Sequence, residues 1–401
     1  MPTPSTSQSR LACCLRVLGL FCVAGTLACG PKVTSSQGGT SPAPSRTALS
    51  SGTALYPRAV RLSHNPDGSK NGSVVVSVTA CPNAVPEADF YASQDGASFS
   101  QVSSITDPDF LSGLCCGALY ELPAQVGALS PGTLLWAGSV GQNSATAPMV
   151  LKIYESLDRG ATWSYLSNCA AASNPRSVAG GLWEPSFTIA GDGALVCFYS
   201  DETQPNHSQL LNHARSYDGV HWQASTYVIA SNIPQDRPGM AVVTRLPSGA
   251  YFMTYELCGP AACTVFYKTS SDGWDWGDAA NVGARIQTAA VEWFEHAPVN
   301  AWSPSAASTN GTIFVIGQMM YDSNGVSPGN GVTLFTNHSP DGSGPWTAVP
   351  APVKVPDAYD NYCPNYSSAL LPSVDGKRLL ELASDYAGSM CQTYFATGQV
   401  N

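Results

Sequence analysis

Ser93-Gln94-Asp95-Gly96 with Phe99 behind it is the first of five near-copies of one phrase. The others are Ser156-Leu157-Asp158-Arg159-Gly160 with Trp163, Ser216-Tyr217-Asp218-Gly219 with Trp222, Ser270-Ser271-Asp272-Gly273 with Trp276, and Ser339-Pro340-Asp341-Gly342 with Trp346. Successive Asp residues lie 63, 60, 54 and 69 positions apart. A repeat of that period is one supersecondary unit copied along the chain. Each phrase reads as a tight turn. Ser and Asp side chains bond nearby backbone N–H groups, Gly supplies positive φ, and the aromatic closes the edge of the unit.

Between these turns lies a second repeat, an apolar strand entered through a Gly turn. Its copies are Val74 to Val78, Thr133 to Ala137, Ala194 to Phe198, Ala250 to Thr254, Thr312 to Ile316 and Arg378 to Leu382. Turns such as Asp192-Gly193 and Asp375-Gly376 mark hairpins. Each unit has room for about four short strands, the size of a propeller blade. The expectation is an all-β, six-bladed β-propeller over residues 54–401. The sixth unit carries no Asp turn, and a strand near Tyr56 is expected to complete it.

Composition agrees: only 11% of the 401 residues are charged, while Gly (37) and Pro (30) are plentiful. With a net charge of −10 and no basic cluster, nucleic acid is excluded as a partner. Residues 1–29 read as a signal peptide: Arg10 and Arg16, then an apolar run from Val17 to Leu27 too short to span a bilayer. Thr26-Leu27-Ala28-Cys29 is similar to a bacterial lipobox, so Cys29 is the expected lipidation site, and the lipid is the expected membrane contact. Residues 30–53, rich in Ser, Thr, Gly and Pro, read as a disordered tether. The expected product is an exported bacterial protein, a monomer anchored at the cell envelope.

An oxidising compartment lets the nine later cysteines pair. Cys258 with Cys263 and Cys363 with Cys391 are the candidates, and the odd count leaves one thiol free. No Cys/His spacing fits a metal site, no cofactor is implied, and Asp357-Ala358-Tyr359-Asp360 reads as a solvated turn.

Few ionisable residues fall on the expected channel-lining strands. Glu184, in Gly181-Leu182-Trp183-Glu184-Pro185, and Glu256, in Tyr255-Glu256-Leu257-Cys258, sit on adjacent units. Asp201, Glu202 and Asp385 end equivalent strands. A carboxylate among Trp and Pro is costly to bury unless paired or used. Two on neighbouring strands form the pair that glycoside hydrolysis needs, one donating a proton while the other attacks or activates water. Arg58 and Arg237 are candidates to grip hydroxyls or a carboxylate. Trp183, Tyr255, Tyr366 and Trp302 are candidates to stack on sugar faces, or to pack. His207 and His296 are loop candidates for a subsite.

The five Asp turns resemble the Asp-box, or BNR repeat, of sialidase-like propellers. That resemblance implies that Asp95, Asp158, Asp218, Asp272 and Asp341 are structural, on outer hairpins. Closer still is the resemblance to the exo-α-L-arabinanases of glycoside hydrolase family 93. It rests on Gly181 to Pro185, on Arg237-Pro238-Gly239-Met240, on Tyr255 to Gly259, on Tyr267 to Gly273, and on Tyr56-Pro57-Arg58 and Asn365-Tyr366-Ser367. It implies retention, with Glu184 as nucleophile and Glu256 as acid/base, and release of arabinobiose from linear α-1,5-arabinan. Two other readings stand beside it. An exo-α-sialidase would use Tyr366 with Arg58, Arg237 and Arg285. A non-catalytic surface propeller would bind glycan or protein.

Overall fold

The alternating apolar runs and Gly turns become antiparallel strands in the computed structural model, which describes residues 46–400. They assemble into six sheets, five of them regular four-stranded blades. The first holds Ala54–Arg61, Val74–Ala80, Glu87–Ser93 and Ser100–Ile105. The second runs from Leu114–Glu121 to Ser164–Ala171, the third from Leu182–Ile189 to Thr226–Ile229, and the fifth from Val299–Ser305 to Thr347–Pro350. The first strands of neighbouring sheets pack side by side, and Ala369–Pro372 of the last packs against Ala54–Arg61, closing a ring round a central channel.

Six equivalent blades were expected, and one sheet departs from that pattern. Arg237–Arg245, Tyr251–Cys258 and Thr264–Ser270 are regular, but the outer edge is shared by two short strands, Ala284–Arg285 and Trp293–Glu295. The second pairs onward with Met319–Asp322 and Gly325–Val326, giving seven strands in one sheet. Trp293 stacks on its cross-strand partner Tyr321 along the added strands, and Phe294 packs on Phe335 of the fifth sheet, with ring centroids 6.1 and 4.2 Å apart.

The closing strand also differs from expectation. Tyr56 lies on the first strand of the first sheet, and Thr47–Ala48 completes the last sheet by pairing with Met390–Gln399. Behind it Leu49 is 7% exposed and packs on Val76, Leu382 and Phe395. Residues 46–53, counted above within the tether, are therefore bound to the fold. The leader and Cys29 lie outside the described residues.

The repeated turns act as rivets. In the first four, the Gly N–H donates to the Ser hydroxyl (2.8–2.9 Å), while the Asp carboxylate accepts further backbone N–H groups. The fifth departs: Ser339 Oγ is buried without a partner, and Asn337 takes over the bonding, donating to the Gly342 and Ser343 carbonyls. Each aromatic reaches back to the preceding sheet. Phe99 meets Phe395, Trp163 stacks on Phe90, Trp276 meets Phe198 and Trp346 meets Phe252, while Trp222 donates to Ser167.

Four disulfides have both cysteines among the described residues: Cys115–Cys116, Cys169–Cys197, Cys258–Cys263 and Cys363–Cys391. Cys81 is disulfide-bonded as well, so the expected free thiol is not found among the described residues. Parity constrains a set only when no member pairs outside it.

Removing residues 46–49 takes away the closing strand and the burial of Leu49, a loss of about 2–4 kcal/mol. A chain starting at residue 50 is expected to melt about 3–5 °C below one starting at residue 46 by calorimetry. Equal midpoints would show that the strand does not hold the ring shut.

Candidate active site

Every first strand breaks at the same height. Tyr56, Cys116, Glu184, Met240, Ala297 and Ser367 have φ of 55, 63, 56, 58, 48 and 55°, respectively. In the first four sheets this residue sits in a register shift, and the ladder resumes two residues later at Arg58, Ala118, Ser186 and Val242. In the last two sheets Val299 and Ala369 stand at the corresponding distance. A bulge re-aims its side chain, so six side chains converge on one mouth of the channel. Tyr56, Met240 and Ala297 cluster there with Cys116 and Tyr366. The channel below is a cavity of about 140 Å³ with walls from all six first strands, among them Arg58, Ala118, Glu184, Met240, Asn300 and Leu370.

The second strands supply acceptors for this ring. Opposite the residue before each bulge stand Thr79, Ser139, Ser200 and Glu256. Ser139 Oγ accepts the N–H of Glu184 at 3.2 Å, Ser200 Oγ that of Met240 at 3.3 Å, and Glu256 Oε2 that of Ala297 at 2.7 Å. Ser139, Ser200 and Glu256 thus each hold the bulge of the next sheet, while the Thr79 hydroxyl is buried without a partner. Glu256 occupies a place where its neighbours carry a hydroxyl, and an ionisable carboxyl there exceeds what the hydrogen bond requires.

The two glutamates have unequal surroundings. The Glu184 carboxylate accepts from Ser200 Oγ at 2.5 Å and from Met240 N–H at 3.2 Å. Burial raises its pKa, and these two donors offset part of the rise. Glu256 has the single Ala297 donor. Burial first, then the charge of Glu184, push it up to about 8. At neutral pH Glu256 therefore keeps its proton, while Glu184 is the carboxyl with more hydrogen-bond donors, two against one. The Cys258–Cys263 disulfide lies against Glu256, with Cys258 Sγ 3.4 Å from Oε1.

Around them stand groups of mixed origin. Arg58 donates to Ser367 O and Oγ at 3.0 and 2.8 Å, and its guanidinium lies 4.1 Å over the Tyr56 ring. Tyr366 packs on Tyr56 and brings its hydroxyl 3.4 Å from Met240 Sδ. Burial, then Glu256 and Glu184, raise the Tyr366 pKa well above its usual value.

Other sequence candidates fall elsewhere. Tyr255 is fully buried between sheets and donates to the Val282 carbonyl, so it packs rather than touching the mouth. Trp183 is buried behind Glu184, with Arg176 4.9 Å over its ring. Arg237 is held by Glu202 Oε1 at 2.5 Å and Gln209 Oε1 at 2.7 Å, which leaves its guanidinium committed. Trp302 donates to its own hairpin at Asn310 O. Asp385 pairs with Arg46 at 2.6 Å, and Asp201 binds Thr203, Gln204 and Asn212. Arg285 lies 4.0 Å over Trp293 on the outer edge, so the three-arginine arrangement of the sialidase reading does not assemble.

Sequence reasoning passed over Tyr56 and Asp360. The Asp360 carboxylate, read as a solvated turn, stands 3.9 Å from His296 Nε2 and raises the pKa of Glu256. His296 and the two sulfurs of the adjacent disulfide lie within 4.8 Å of one another, but oxidised sulfurs offer no thiolate to a metal.

No family model matches the chain, and neither does any curated protein. Solved structures do. The Penicillium chrysogenum α-L-arabinanase complexed with arabinobiose is 28% identical with a TM-score of 0.71, over 89% of this chain and 97% of that one. The Fusarium graminearum α-L-arabinofuranosidase of glycoside hydrolase family 93, also with arabinobiose, is 24% identical with a TM-score of 0.70, over 88% and 97%. A Hadza microbial sialidase is more distant, at 13% identity and a TM-score of 0.54 over 87% of this chain and 66% of that one. The chain has an all-β propeller fold like these.

The raised pKa of Glu256 has a consequence for stability. Between about 4.5 and 8 the folded protein holds a proton that the unfolded chain has lost. Its contribution is complete below 4.5 and is lost as pH rises through 8. Glu256→Gln removes that term, so its melting temperature is expected to fall less than the wild type's between pH 5 and 8. Identical slopes in scanning fluorimetry would place the Glu256 pKa near its ordinary value.

Proposed function

We propose that this protein is a retaining exo-glycoside hydrolase acting on α-L-arabinan, built as a six-bladed propeller in which the seven-stranded sheet is an enlarged blade. One observation carries the reading: two carboxyl groups share the channel mouth with unequal surroundings, Glu184 accepting from Ser200 Oγ and the Met240 N–H while Glu256 has the one Ala297 donor and is pushed up to about 8 by burial and by Glu184. Environments that separate two acids in this way assign the roles. The 28% identity to an arabinanase complexed with arabinobiose supports the substrate class.

In the proposed reaction Glu184 attacks the anomeric carbon as the glycosidic bond breaks. Glu256 gives its proton to the departing oxygen. Water then enters, Glu256 takes its proton, and the hydroxide displaces the sugar from Glu184. Arg58 supplies a planar set of donors for ring hydroxyls beside Glu184. The mouth also carries Asp360, so a substrate carboxylate would meet three acids and one guanidinium that already donates to Pro57 O and to Ser367 O and Oγ. That favours a neutral glycan over a sialoside. With the leader and Cys29 as read from the sequence, the enzyme works as a monomer at the cell envelope.

Glu184→Gln and Glu256→Gln are each expected to slow arabinobiose release from linear arabinan by about 10²–10⁴-fold, with folding intact. Chromatography of the products checks this. Near-wild-type turnover in both variants, or hydrolysis of a sialoside in place of arabinan, would overturn the reading. The wild-type rate is expected to fall as pH rises through about 8, where Glu256 loses its proton.

A further inference from the structure

Among the six residues of the bulge ring, one is bonded to its own neighbour. Cys115 and Cys116 form a disulfide across a single peptide bond. Their two side chains have different settings. Cys115 is buried with Met149 and Trp183, the residue just before Glu184. Cys116 is half-buried, and it packs with Tyr56, Met240, Ala297 and Tyr366 across the mouth. Cys115 also pairs with Ser139, whose hydroxyl holds the Glu184 N–H. The sulfurs are thus an apolar, polarizable face fixed to the strand pair that anchors the reacting carboxylate. A sugar ring has C–H faces, which need an apolar surface to leave water.

We propose that the Cys115–Cys116 disulfide is a sugar-binding platform: its exposed sulfur face covers the apolar face of a neutral glycosyl unit at the channel mouth. Tyr366 and Tyr56 form the adjoining wall, and Trp183 backs the platform from below. A linkage between neighbouring residues cannot swing away, so the platform is rigid before the ligand arrives and loses little entropy on binding. This inference rests on the glycosidase reading of the same mouth.

The test uses the full chain carrying Glu184→Gln, which blocks turnover, and a panel of arabino-, xylo- and galacto-oligosaccharides. Calorimetry identifies the tightest ligand. Adding Cys115→Ala and Cys116→Gly, where Gly accepts the positive φ, is expected to weaken that ligand about tenfold or more. Because the substituted chain can fail to fold, a second readout uses the intact disulfide. Saturating ligand is expected to slow reduction of Cys115–Cys116 by a phosphine about tenfold, seen by differential alkylation and mass spectrometry, while Cys169–Cys197, in the core between two sheets, reacts unchanged. Unchanged affinity or unprotected sulfurs overturn the platform and leave the arabinanase reading standing. Protection by an oligosaccharide other than the arabino series supports the platform and overturns that substrate. Binding of no oligosaccharide overturns both.

Discussion

The ring of left-handed residues at the channel mouth is the constraint on which the site depends. None of the six is glycine, and a side-chain-bearing residue in that region costs about 1–3 kcal/mol. The strain persists because the surrounding sheets fix it. At three positions the neighbouring sheet's second strand receives the bulge N–H, through Ser139, Ser200 and Glu256. The ring therefore also links sheets, and the geometry of one reacting group depends on the next sheet in the circle. The rivets formed by the turn aromatics hold the outer edges in the same order, five of the six sheets pinned to the one before.

The electrostatics follow from that geometry. Glu184 points inward because its backbone turns there, and the same turn brings Ser200 Oγ and the Met240 N–H to its carboxylate. Glu256 stands on a second strand, in the place of a ring hydroxyl, and meets one donor. Two acids in one low-dielectric mouth cannot both ionise easily, and the donor count decides which keeps its proton. Tyr366 and Tyr56 are held neutral by the same burial. The difference between the glutamates is thus a property of strand position and not of residue type.

Much of this was legible in the sequence. The Ser-x-Asp-Gly turns gave the period, the period gave the strands, and Glu184 and Glu256 emerged as the acids on adjacent sheets. Tyr255 was misplaced because strand alternation alone does not say which face meets the channel when both faces are buried; its ring goes into the interface between sheets. The bulge ring had a faint signal: Tyr56-Pro57, Glu184-Pro185 and Ala297-Pro298 each put a residue without an N–H where a ladder should run. Cys116, Met240 and Ser367 lack even that mark. Asp360 and the Thr47–Ala48 strand depend on contacts across 100 residues or more of sequence. No local pattern carries such contacts.

The most direct test is to trap the sugar on the protein. An activated fluorinated arabinosyl donor, which forms the glycosyl–enzyme bond faster than water breaks it, should add one glycosyl mass, and peptide mapping should place that mass on Glu184. A label on Glu256, on Tyr366 or on no residue while the donor is still consumed would contradict the assignment of Glu184 as the attacking carboxylate.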